Sequence, residues 1–120
     1  MGFELTQRFT FEAAHTLQRQ HETRASKRIH GHTYHAEVTL RGERDPESGM
    51  VVDLAVLRAA IAQVREQLDH HFLDEVEGLG PATLENLCVF VHRQVAAQVL
   101  GVVCVTVERP GSGDRCCYRP

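Results

Sequence analysis

The chain has 120 residues, 42% hydrophobic and 24% charged, which fits one globular domain over residues 1–120 with enough apolar material for a real core. A net charge of -3 supplies no basic patch, so no nucleic acid and no membrane surface is expected as a partner. No window is apolar enough to span a bilayer, and the opening MGFELTQRF lacks the apolar core of an export signal, so the expected location is cytoplasmic.

Segment 3–15, FELTQRFTFEAAH, places Phe3, Leu5, Phe9, Phe11, Ala13 and His15 on odd positions and polar residues between most of them. That period of two predicts a half-buried strand. Segment 16–29 is polar without a helical or strand period and reads as a loop. Segment 30–42 alternates again, with Tyr34, Ala36, Val38 and Leu40 on one face. The run from Asp45 to Gly49 is a turn.

Asp53 is a candidate N-cap for a helix reaching about Leu68, with Leu57, Ala60, Ile61, Val64 and Leu68 on one side. Segment 74–82 reads as a connection. Thr83 can cap a second helix carrying Leu84, Leu87, Cys88, Val91, Val95 and Val99, with Gly101 as its stop. Segment 102–108, VVCVTVE, is β-branched and reads as a buried strand. Arg115–Arg119 can pair back after the Pro110–Gly113 turn. The order ββααββ predicts an antiparallel α+β domain.

Four cysteines form no CxxC pair and read as reduced. Cys88 and Cys104, inside apolar runs, read as small core residues. Eight histidines are the anomaly, and five of them, His15, His21, His30, His32 and His35, fall within 21 residues. His30-Gly31-His32 is the sharpest feature. On a strand its two imidazoles share a face, about 6.6 Å apart along the chain. If the first two strands pair, His15 completes a three-histidine set, which suits catalytic zinc with one open position. His35 falls on the other face and, like His21, reads as solvated. Asp69-His70 offers an acid/base unit, with helix termination as an equally good reading. Glu108, at the end of an apolar strand, either meets water or accepts from a donor pair on a ligand.

FEAAH at 11–15, HGHTY at 30–34, LDHHFL at 68–73, T-x-E-N at 83–86 and VE at 107–108 occur in that order. With this set the chain resembles the 6-pyruvoyltetrahydropterin synthase and 6-carboxytetrahydropterin synthase family. Its compact length is most similar to the bacterial enzymes of the queuosine (7-deazaguanine) pathway. The resemblance implies a tunnelling fold, or T-fold: a four-stranded antiparallel sheet with two helices on one face. It implies trimeric barrels stacked as a homohexamer, with active sites between subunits. It implies a zinc-dependent lyase acting on 7,8-dihydroneopterin triphosphate. Zinc (Zn2+) would be held by His15, His30 and His32. His70, backed by Asp69, would relay protons. Glu108 would anchor the pterin ring, and Thr83 and Glu85 of a neighbouring subunit would complete the pocket.

One position departs from the family pattern. Ser26 stands where the bacterial enzymes carry a cysteine that accepts a proton. A thiol can be tuned into a base near neutral pH, whereas a hydroxyl needs a neighbouring base. Three readings stay open: a cysteine replaced to trap ligand, a natural variant whose base is His70 or Ser26 itself, and a paralogue with altered chemistry. Members with glutamate near this position cleave the side chain to a 6-hydroxymethyl product.

Overall fold

A computed structural model describes residues 2–21 and 23–120. Strand β1 (Phe3–His15) pairs antiparallel with β2 (His30–Gly42) along its whole length, from Phe3↔Gly42 to His15↔His30. The alternation decides which side is covered. Phe9, Phe11, Ala13 and His15 of β1 are buried, as are Tyr34, Ala36, Val38 and Leu40 of β2. The Phe11 and Tyr34 rings stack at 4.8 Å with planes 11° apart. Truncating a buried aromatic such as Phe11 to alanine costs about 3–5 kcal/mol through lost contact and a residual cavity.

Two long helices pack on that face. In α2 (Leu54–Leu68) the Asp53 carboxylate accepts from the Ala55 backbone N–H at 2.8 Å. Leu57, Ala60, Ile61, Val64 and Leu68 form its buried stripe. In α3 (Leu84–Ala96) the Thr83 hydroxyl accepts from the Asn86 N–H at 3.1 Å. Each cap satisfies a donor that the helix itself leaves orphaned. α3 ends at Ala96 with Ala97 as its C-cap, short of the expected stop at Gly101; Gly101, with φ +86°, instead turns the chain into the strand that starts at Val102, and its carbonyl accepts from the Arg41 N–H at 2.9 Å. A Cβ there would lie 2.8 Å from the Arg41 carbonyl oxygen, so only glycine admits this approach.

Strand β4 (Val102–Arg109) then pairs antiparallel with β2, and β5 (Asp114–Tyr118) pairs back on β4. No helix among the described residues is long and apolar enough to cross a membrane.

The expected four strands and two helices need correction. The sheet is mixed and has five strands, with a short strand β3 (His71–Phe72) outside β1, in the order β3-β1-β2-β4-β5. This added strand runs parallel to Ala13–Ala14 of β1. Two residues are too short to show a period of two, so only the tertiary contact defines them. Segment 16–29, expected to be loop throughout, contains the five-residue helix α1 (Thr23–Lys27). A helix that short shows no full apolar stripe in sequence. A single 3₁₀ turn at Leu73–Glu75 follows β3. Cys104 is also not a core residue. It is only partly buried, and its parity on β4 sets it on the face away from Val105 and Val107.

Candidate active site

The β1–β2 register sets His15 across from His30 and Ala13 across from His32. Parity on each strand turns the three imidazoles to the helix-covered face. Ring centroids lie 4.5 Å apart for His15–His30 and 4.9 Å for each of the other two pairs, with planes crossing at 68–89°. One ligand atom from each ring falls within 4.8 Å of the others. The Nε2 atoms of His15 and His32 are 3.1 Å apart.

Backbone carbonyls orient two of the rings. His15 Nδ1 lies 2.8 Å from the Ala82 carbonyl oxygen, and His30 Nδ1 lies 2.7 Å from that of Arg28. A carbonyl can only accept, so both Nδ1 atoms carry the proton and both Nε2 atoms present a lone pair. Burial lowers the His15 pKa, against the opposing pull of the Ala82 carbonyl. Burial likewise pushes His32 down to about 4, with His15 and Arg109 adding positive charge nearby. Both rings are therefore neutral at neutral pH, the state a metal requires.

The donor set fits zinc. Two nitrogens on a tetrahedral zinc at 2.0–2.1 Å stand roughly 3.3 Å apart. The His15–His32 spacing is already 3.1 Å, and small ring rotations bring in the third nitrogen. Three imidazoles leave a fourth position open for a ligand.

Asp69 and His70 follow α2. Asp69 accepts from the Glu12 backbone N–H at 2.9 Å and from His70 Nδ1 at 2.9 Å. Its pKa lies below the ordinary 3.8, chiefly through the Glu12 N–H and next through His70. His70 adopts φ +58°, the left-handed region, and its N–H donates to the Glu12 carbonyl at 2.6 Å. A histidine held in this sparsely populated conformation suggests a positional demand beyond ending a helix. Its side chain is 79% exposed, and together with His32 it lines a cavity of about 490 Å³.

A larger cavity, about 720 Å³, opens beside the His15 support and is lined by Thr16, Arg19, Asp74, Ala82, Thr83, Glu85 and Arg109, among others. Arg109 donates to Asp114 at 3.2 Å, while its Nε is buried without a partner. The Tyr34 hydroxyl is also buried, and burial raises its pKa to about 12 against the lowering pull of the neighbouring Arg109 guanidinium. The Arg109 Nε, without a partner among the described residues, is a donor that a ligand or water could satisfy.

Comparisons with known proteins show the family. The family model described as 6-pyruvoyl tetrahydropterin synthase matches residues 4–120. The chain belongs to the 6-pyruvoyl tetrahydropterin synthase family. It is 34% identical over 92 residues to the 6-carboxy-5,6,7,8-tetrahydropterin synthase of Synechocystis, covering 72% of this chain and 70% of that one. It is 35% identical to the Bacillus subtilis protein of the same name, covering 99% and 86%. Its fold matches the structure of Caenorhabditis elegans 6-pyruvoyl tetrahydropterin synthase with a TM-score of 0.87 at 27% identity, over 100% of this chain and 96% of that one.

In this family member, the remaining expected site residues are dispersed within one chain. Ser26 is 6% exposed on α1, and its hydroxyl accepts from Arg19 at 3.4 Å. It shares no hydrogen bond with the three histidines. Glu108 sits on the sheet face opposite them, with His35 Nδ1 3.5 Å from its carboxylate. His35 is therefore half-buried and paired with Glu108, not simply solvated as its sequence suggested. Thr83 serves as the α3 cap, and with Glu85 lines the larger cavity. Arg109 was not anticipated. Its signal was available: it follows Glu108, so strand parity turns it to the histidine side.

Proposed function

We propose that this chain is a 6-carboxytetrahydropterin synthase-like lyase, zinc-dependent, acting on 7,8-dihydroneopterin triphosphate in queuosine (7-deazaguanine) biosynthesis. The observation that carries the reading is the convergence of His15, His30 and His32 in a chain of this family. Bound zinc would act as a Lewis acid toward the hydroxyls of the pterin side chain, acidifying the neighbouring C–H and O–H groups. His15, His30 and His32 would hold the ion, the His15 and His30 lone pairs being oriented by the Ala82 and Arg28 carbonyls. His70, oriented through Nδ1 by Asp69, presents its other ring nitrogen for proton transfer. Glu108 is an acceptor for the amino group and ring N–H of a pterin. Thr83 and Glu85 supply polar groups to the pocket wall.

Glu108 and the histidines occupy opposite faces of one sheet, which favours a pocket completed by another copy of the chain. A homohexamer built as two trimers, located in the cytoplasm, is the assembly we assign. Ser26 stands as the proton acceptor in this scheme, as the counterpart of the family cysteine.

A second reading rests on Ser26 itself: a zinc- and pterin-binding protein without turnover, since the buried Ser26 hydroxyl accepts from the Arg19 guanidinium and a hydroxyl is intrinsically a far weaker base than the family thiol. Incubation with 7,8-dihydroneopterin triphosphate and zinc, followed by mass analysis of products, separates the possibilities. A 6-carboxy product supports the lyase reading. A 6-pyruvoyl or 6-hydroxymethyl product assigns the chain to another branch of the family. Tight binding with no product selects the second reading. Glu108→Ala should weaken pterin binding in every case, since its assigned job is ring recognition.

A further inference from the structure

The face of the sheet away from the helices carries a second cluster of reactive groups that the pterin chemistry does not use. Cys104 on β4 and Cys117 on β5 point to this face, and their Sγ atoms are only 3.1 Å apart. Cys117 is exposed, and both line a polar cavity of about 590 Å³ together with Thr106, Arg115 and Arg119. The Thr106 hydroxyl also reaches Cys117 Sγ, at 3.7 Å.

We infer that Cys104 and Cys117 form a redox-sensitive dithiol, which a hydroperoxide converts to a disulfide bridging β4 and β5 within one chain. Closing the bond shortens the sulfur separation from 3.1 Å to about 2.05 Å, a shift of about 1 Å that rotation of the two side chains can supply. In the first step the Cys117 thiolate attacks one peroxide oxygen. An S–O bond forms, the O–O bond breaks, and the leaving hydroxide (or alkoxide) takes up a proton. In the second step Cys104, having lost its proton, attacks the Cys117 sulfenic sulfur. The S–S bond forms and the S–O bond breaks, releasing water. Two thiols are oxidised by two electrons in all, and the hydroperoxide is the species reduced.

The local electrostatics assign the two roles. Cys117 is held below the ordinary thiol pKa, first by the hydrogen bond from Cys104 and further by Thr106 and the Arg119 and Arg115 charges. Partial burial raises Cys104, so it is the more weakly acidic thiol of the pair. The nucleophile is thus the exposed sulfur, and the resolving thiol already touches it. The other two cysteines serve as internal contrasts. Cys88 is buried, its thiol pushed up to about 12 by burial, and its Sγ donates to the Cys116 carbonyl at 3.5 Å. Cys116 lies opposite Val107 on the helix-covered face.

The test is treatment of the reduced, full-length protein with stoichiometric hydrogen peroxide, followed by thiol titration and denaturing intact-mass analysis. Formation of the bond should remove two titratable thiols and about 2 Da per chain, reversibly with dithiothreitol. Cys116→Ser should retain the change, and Cys117→Ser and Cys104→Ser should each abolish it. Cys117 is exposed and Cys104 only partly buried, so these two variants are expected to fold. Unchanged mass, oxygen addition without loss of the two hydrogens, a bond only between separate chains, or a bond that persists in Cys117→Ser would each overturn the assignment.

Discussion

His15 and His32 confront each other through their Nε2 atoms at 3.1 Å, although the Ala82 carbonyl fixes the His15 proton on Nδ1. Without a cation between them, His32 must donate its Nε2 proton to the His15 lone pair. A zinc held there would take the Nε2 lone pairs of both rings, with the neutral His32 carrying its proton on Nδ1 instead. Purified protein should therefore carry about one zinc per chain. His30→Ala and His32→Ala remove ligands that are only partly buried, so the fold should survive while zinc content drops sharply. Undiminished zinc in both variants, read by elemental analysis, would overturn the site. Chelation should also lower the melting temperature, because a ligand bound only by the native state stabilises it.

Replacing Ser26 by cysteine tests the proton acceptor. The Arg19 guanidinium at 3.4 Å would favour a thiolate, whereas an alkoxide stays out of reach near neutral pH. General-base contributions run to roughly 10²–10⁴-fold. Ser26→Cys should raise turnover of 7,8-dihydroneopterin triphosphate by a factor in that range with little change in zinc content. Brisk turnover by the unaltered chain together with a neutral or harmful Ser26→Cys would point to another base, with His70 the first to mutate.

The sheet edges bear on assembly. Beyond β2, strand β1 is paired among the described residues only at Ala13 and Ala14, by β3, while Glu12 bonds Asp69 and His70 and the Thr10 carbonyl accepts from Arg65, so its first half is left as an open outer edge. At the far side β5 pairs with β4 alone. Open edges of this kind are normally covered. Edge pairing between copies through β1 and β5 is the expected solution, and β2 is excluded by its position between β1 and β4. Light scattering at micromolar concentration should report a hexamer. A monomer would contradict the shared pocket and the neighbouring-subunit roles given to Thr83 and Glu85.

Asp69 links site geometry to acid stability. Its folded pKa is depressed below 3.8, chiefly by the Glu12 N–H and next by His70. Its contribution to stability is therefore fully present above the unfolded value and fades as pH falls through the lower folded value. Wild type should exceed Asp69→Asn in denaturant stability at about pH 6, and the gap should close toward about pH 2. A gap that stays constant over this range would mean that the Asp69 charge contributes nothing to the fold.

Much of the site could be read along the chain because the deciding signals are local. Period-two alternation put His15 with Phe9 and Phe11, and His30 and His32 with Tyr34, on covered faces. The Asp53 and Thr83 caps depend only on side-chain chemistry within three residues. Other features arise between segments far apart in sequence, where no local period carries information. The two-residue β3 exists because the chain after Asp69 docks on Glu12 and Ala13. Parity alone could state that Glu108 and Arg109 point opposite ways. Only the pairing of β4 with β2 decides that Glu108 meets His35 while Arg109 adds its charge to the surroundings of His15 and His32. The Cys104–Cys117 contact likewise needs the β4–β5 register, which a hairpin turn permits but composition does not specify.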